Sequence, residues 1–163
     1  MPTFLLYIKA DLENIAKIDV PLGHSFCIDV KESAGSETRE RVHVTAAETH
    51  DMSGSKGTAN FVMKFAKDSR HECSINVMQL KGVTRAVTED DEGKFVPVMA
   101  FECRGIEPTA FHPEEGFVVT SKGGKVFDDV DLSEDWSEWD EKINESIGIY
   151  SVEANSNQGY LVL

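Results

Sequence analysis

Few side chains in this 163-residue chain are suited to chemistry, and their spacing limits what they can do. The thiols are Cys27, Cys73 and Cys103, and the imidazoles are His24, His43, His50, His71 and His112. Thiolate and neutral imidazole are the donors zinc favours, so proximity between these two sets is the first signal to seek. His71-Glu72-Cys73 is the tightest group, and in an extended segment His71 and Cys73 would point to one face. Two donors fall short of the four a structural zinc uses, and a surface histidine beside a half-buried thiol explains the same triplet. Cys103 sits in an apolar run and reads as a small buried hydrophobe rather than a nucleophile. Arg104, between Glu102 and Glu107, reads as the centre of a structural ion-pair cluster. No Gly-x-Ser-x-Gly, P-loop, dinucleotide fingerprint or His-Glu-x-x-His occurs, so the sequence predicts a protein that is not an enzyme.

The densest charge lies in the run from Asp128 to Glu141, which holds eight carboxylates. A calcium loop starting at Asp129 would need glycine at its sixth position and glutamate at its twelfth; Glu134 and Asp140 stand there instead, so the pattern fails. Two readings remain: a solvated acidic face, or a surface for a basic partner formed by Asp135, Asp140 and Glu141. Trp136 and Trp139 interrupt this run at a spacing that would put both on one side of a short helix. They either clamp the charged segment onto the body or anchor a partner, since tryptophan is enriched at binding hot spots.

The elements that must position these groups are mostly strands. Short apolar or alternating runs separated by glycine-bearing turns predict strands near 4–10, 25–31, 41–45, 60–65, 73–80, 95–103, 116–120, 147–153 and 160–163. Val96-Pro97-Val98 places a proline early in a strand, which suits an edge or a strand start. Helix signals are scarce: one turn over 107–115 after Pro108, and one or two turns over 133–142 with Ser133 as N-cap. Leu12-Glu13-Asn14 and Ile106-Glu107-Pro108 each follow a hydrophobic strand, which is compatible with two related β lobes. The acidic Thr88-Glu89-Asp90-Asp91-Glu92-Gly93 would be the exposed connector.

A net charge of −13 repels phosphate backbones and anionic lipid, so neither nucleic acid nor membrane is an expected partner. The apolar start is cut short by Lys9 and Asp11, so no signal peptide is expected. An odd number of widely spaced cysteines argues against a disulfide framework. Together these features predict a cytoplasmic protein with reduced thiols.

Several words in the chain are too specific for composition to explain. They are Phe101-Glu102-Cys103-Arg104-Gly105-Ile106-Glu107-Pro108, Asp135-Trp136, Asp140-Glu141-Lys142 and Glu145-Ser146-Ile147-Gly148-Ile149-Tyr150, with Lys9-Ala10-Asp11-Leu12-Glu13-Asn14-Ile15 near the start. With Gly116-Phe117 and the Trp136, Trp139 spacing, they make the chain similar to the eukaryotic CXXC-motif-containing zinc-binding protein family, a family of unknown function. The resemblance implies two Cys-x-x-Cys knuckles in the N-terminal half, and this chain has neither. To within a residue of register, the four thiolate positions fall on Glu32, Gly35, Phe65 and Asp68. That set cannot make a tetrahedral S₄ site, so no cofactor is expected, and ordinary packing should close the lobe where relatives use zinc.

The sequence therefore predicts an all-β protein of two small lobes, about 1–90 and 94–163, with an approximate internal repeat, few short helices and one globule. It predicts a non-catalytic cytoplasmic binding or adaptor protein for a basic surface; what the resemblance implies is a protein partner, such as a copper-chaperone-like one. The alternative is a zinc- or copper-handling protein with substitute ligands drawn from Glu32, Asp68, His71 and Cys73.

Overall fold

The computed structural model describes residues 2–53, 57–67 and 71–158. Its strands, in chain order, begin with β1 (Thr3–Glu13), β2 (Ile15–Asp19), β3 (Phe26–Glu32), β4 (Thr38–Val44) and β5 (His50–Asp51). There follow β6 (Thr58–Ala59), β7 (Phe61–Met63), β8 (Cys73–Met78), β9 (Val87–Thr88) and β10 (Val96–Arg104). The last are β11 (Ile106–His112), β12 (Phe117–Ser121), β13 (Val126–Val130), β14 (Trp136–Asp140) and β15 (Glu145–Gln158). The protein is all-β, as its alternating runs require; among the described residues the helical element is one 3₁₀ turn, Glu89–Asp91. Among the described residues no helix is long and apolar enough to cross a membrane.

The internal repeat is visible in the strand order. One sheet runs β14-β15-β1-β10-β8-β7, with β1 and β10 antiparallel at its centre and a hairpin on either flank. A second sheet, β13-β12-β2-β9, and a third, β11-β3-β4, pack around it, and exchanging β1–β4 for β10–β13 converts β13-β12-β2 into β4-β3-β11, β9 being an addition to the second sheet alone. The two repeats are intertwined, since every large sheet takes strands from both sides of residue 90. Each repeat turns from the shared sheet into its own at a single left-handed residue, Asn14 (φ 54) between β1 and β2 and Gly105 (φ 73) between β10 and β11. Asparagine and glycine are the residues that tolerate this conformation. The repeat thus matches Asn14 with Gly105, rather than Leu12-Glu13-Asn14 with Ile106-Glu107-Pro108.

The core faces alternate as the sequence suggests: Leu6, Ile8 and Ala10 from β1, Phe26, Ile28 and Val30 from β3, and Phe117 and Val119 from β12 are buried. Phe26 meets Phe101 edge-on at 5.4 Å, tying β3 to the central strand. Pro97 is the second residue of β10, ahead of the stretch that pairs with β8, so the missing N–H interrupts no bond on that side.

Two helix predictions are wrong. Residues 107–115 form most of β11, because Pro108 and Phe111 take register positions opposite Val30 and Ile28. Residues 133–142 hold β14, drawn out by pairing with β15 from Trp136 opposite Ile149 to Asp140 opposite Glu145. In both, tertiary pairing overrides weak local propensity. The acidic connector is not loose either. Arg85 donates two bonds to the Asp91 carboxylate, at 2.6 and 2.8 Å, and Thr88 N–H and hydroxyl add two more. Asp91 is accordingly buried, and these donors hold its carboxyl well below the usual range, the Arg85 bonds foremost. The strand expected over 160–163 lies outside the described residues.

Candidate functional site

The positions at which the resemblance places metal knuckles lie around the β3–β4 turn and the chain entering β8. The turn closes on itself, Glu32 N–H donating to the Glu37 carbonyl at 2.9 Å. It is tied to the other repeat through Gly105, whose carbonyl accepts Ser33 N–H at 3.1 Å and the Cys73 thiol at 3.3 Å. A Cβ at Gly105 would stand 3.3 Å from Cys73 Sγ, so only glycine serves both the left-handed φ and this close approach. Between these segments lies a cleft of about 350 Å³ lined by Glu32, His71, Glu72, Cys73 and Arg104, among others. Glu32, His71 and Cys73 thus line one cleft, but their donor atoms are not gathered within metal-binding distance of one another. The Cys73 thiol is pushed up by burial first and by Glu32 second, as burial first and Glu114 second push up Cys27.

Donor chemistry at the four family positions does not suit structural zinc. Glu32 curls over Gly35, occupying the space a side chain there would use. Phe65 is 6% exposed and belongs to the hydrophobic core. Arg39 stacks over its ring at 5.6 Å and donates Nη2–H to its carbonyl at 2.9 Å, fastening β4 to this loop. Asp68 lies outside the described residues. A carboxylate, a glycine and a buried phenyl ring supply no thiolate set.

The second candidate is the acidic segment, which β14 carries as the outer strand of the six-stranded sheet. Because it is a strand, Trp136 and Trp139 face opposite ways rather than sharing a side. Trp136 packs inward, meeting Phe127 edge-on at 5.3 Å, and is the clamp. Trp139 is 53% exposed. Asp140, named with the acidic surface, is fully buried: Ser121 donates its hydroxyl to Oδ2, and Lys142 N–H donates to Oδ1 at 2.9 Å. These bonds, Ser121 foremost, depress its pKa, and the side chain serves the interior. Asp135 stays exposed while accepting Ser151 N–H at 2.9 Å, and exposed Glu141 meets Lys125 at 2.7 Å.

The Arg104 cluster is not formed as expected. Glu107 lies 4.0 Å from Lys31 across the β11–β3 pair, and Arg104 turns to the cleft. Cys103 is buried, and burial, with Glu102 and Glu107 nearby, pushes its thiol up to about 12, so it is no thiolate near neutrality.

A profile of the eukaryotic family described as CXXC motif containing zinc binding protein matches residues 5–157. The chain belongs to that family. It is 36% identical over 152 residues to the CXXC motif containing zinc binding protein of Bos taurus, covering 90% of this chain and 92% of the relative. It is 39% identical over 150 residues to a UPF0587 protein of Drosophila melanogaster, covering 89% and 90%. A solved structure described as a hypothetical protein from Plasmodium falciparum superposes with a TM-score of 0.88 at 29% identity, over 96% of this chain and all of that one. The crystal structure of C1orf123 does so with 0.85 at 30%, over 96% and 99%. Family membership and fold are therefore shared, while the motif that gives the family its description is missing from this sequence.

Proposed function

We propose that this chain is a non-catalytic cytoplasmic adaptor that docks a basic protein surface on the exposed face of β14. One observation carries the reading: Trp139 projects into solvent from an edge strand, flanked by exposed Asp135, Glu138 and Glu141, while its neighbour Trp136 is spent on holding the strand down. A large aromatic ringed by charge is the usual anatomy of a hot spot and its rim. The charge of −13 supports a cationic partner, a copper-chaperone-like protein being one class, and disfavours nucleic acid and anionic membranes. Three free, buried cysteines without a disulfide suit a reducing compartment. On this reading the knuckle region holds no cofactor, its closure being taken over by Phe65 and Arg39.

The test is affinity capture from cell extract with wild type and Trp139→Ala side by side, each with its thermal melt recorded. The expected result is a partner lost from the variant at unchanged melting temperature and weakened by added salt in the wild type. Equal capture by the variant would reject the β14 face.

A further inference from the structure

We infer that Cys27, His43 and Glu114 form a binding site for a borderline-soft divalent cation, zinc in the first instance, at a place unrelated to the family's knuckles. On β3, Phe26, Ile28 and Val30 face the core, which turns Cys27 outward, and its register partner on β4 is His43. Glu114 follows the end of β11 and is anchored through its carbonyl, which accepts Leu132 N–H at 3.0 Å. His43 Nε2 lies 3.2 Å from Glu114 Oε1. One donor atom from each of the three residues lies within 4.8 Å of the others. Around tetrahedral zinc, with bonds near 2.0 Å to nitrogen and oxygen and 2.3 Å to sulfur, donors stand about 3.3–3.6 Å apart. Small rotamer changes close that gap.

Burial and access are arranged as a three-ligand site needs. Cys27 is 1% exposed, beneath the other two, whereas His43 and Glu114 line a cleft of about 350 Å³ together with Glu115, Asp131 and Ser133. The cleft leaves room for water in a fourth position, and Glu115 and Asp131 add negative charge. A thiolate, an imidazole and a carboxylate are a zinc set; calcium and magnesium want oxygen alone. Binding takes Cys27 as thiolate, so its proton passes to buffer.

Two basic groups surround the site. Arg41 Nη1 stands 3.6 Å from Glu114 Oε2, but its side chain is 62% exposed, and an exposed pair of this kind is worth little, so the guanidinium can swing away. His112 faces Cys27 from the other side, on β11, and is held at 3.0 Å by Asp29, leaving it outside the ligand set.

This inference goes beyond the adaptor reading and does not depend on it. The experiment uses the untagged full chain, dialysed against Zn²⁺ and analysed for metal, with Co²⁺ as a spectroscopic probe. Wild type should retain one zinc per chain and show a thiolate-to-cobalt charge-transfer band. Cys27→Ser should abolish the band, and His43→Ala and Glu114→Gln, both at solvent-reached positions, should each weaken Zn²⁺ binding at least about tenfold. Those two variants keep the test decisive if Cys27→Ser fails to fold. His71→Ala and Cys73→Ser should bind as wild type does. Absence of retained zinc, or its loss in the His71 and Cys73 variants with retention in His43→Ala, would overturn the assignment; either result leaves the Trp139 experiment unaffected.

Discussion

Phe65→Ala tests whether apolar packing closes the region where relatives place a metal knuckle. The ring is 6% exposed, lies in the main core and carries Arg39 stacked at 5.6 Å. Truncating a buried phenylalanine costs about 3–5 kcal/mol. Phe65 stands on a bend just after the three-residue β7, where the backbone is able to relax into the cavity, so the lower end of that range applies. Losing the partly exposed cation–π contact is included and is worth about 0.5–1 kcal/mol. A loss of about 3 kcal/mol corresponds to about 6–12 °C in Tm for a domain of this length. In urea, with a slope near 2 kcal/mol/M, it moves the midpoint by about 1.5 M. The assay is urea unfolding followed by tryptophan fluorescence, with and without chelator. The chelator arm is run on His43→Ala, so that zinc at Cys27 does not enter the comparison. A structural zinc would contribute on the order of 10 kcal/mol, which no chelator experiment could miss. A loss below about 1 kcal/mol in Phe65→Ala, or a midpoint of His43→Ala that falls with chelator, would refute the packing account.

Gly105→Ala forces a side chain into left-handed backbone and against Cys73 Sγ, and should cost about 1–2 kcal/mol by urea unfolding. Gly105→Asn, which copies its structural counterpart Asn14, should lose less of the backbone part; equal losses would argue against φ as the cause. Arg85→Ala should cost about 1–2 kcal/mol at pH 7, discounted because the Arg85 side chain is half exposed. The folded Asp91 carboxyl titrates below its unfolded value near 3.9, so the pair's contribution is fully present above that pH and is lost as pH falls through the folded value. The gap between wild type and Arg85→Ala in pH-resolved urea melts should therefore narrow below about pH 4, and a gap that widens there would contradict the assignment.

The sequence was most legible where one residue type has one physical use. Alternating apolar runs exposed the long strands, because a half-buried strand has no other way to be written. Trp136 and Trp139 were recognised as special but given the wrong geometry: a spacing of three was read as one helix face, and in β14 it means opposite faces. No local cue decides between those periods in Trp-Ser-Glu-Trp-Asp; pairing with β15 decides it, and that partner lies beyond the turn. Asp140 shows the same limit. Its burial depends on Ser121, a residue on β12, in a different sheet from β14, so its carboxylate was indistinguishable from the exposed acids beside it.

The Cys27 cluster was nearer to hand. Strands over 25–31 and 41–45 and the turn between them were all foreseen, and an antiparallel hairpin drawn through that turn sets Cys27 opposite His43. Scanning for donors close in sequence favoured His71-Glu72-Cys73, yet in a sheet the relevant neighbour is across the ladder, at a distance set by register. Glu114 could not have been added that way, because it arrives from β11, which joins this hairpin through the repeat rather than through a turn. The same intertwining that hid it also places it well: three donors from three chain segments are fixed by sheet register and one backbone hydrogen bond.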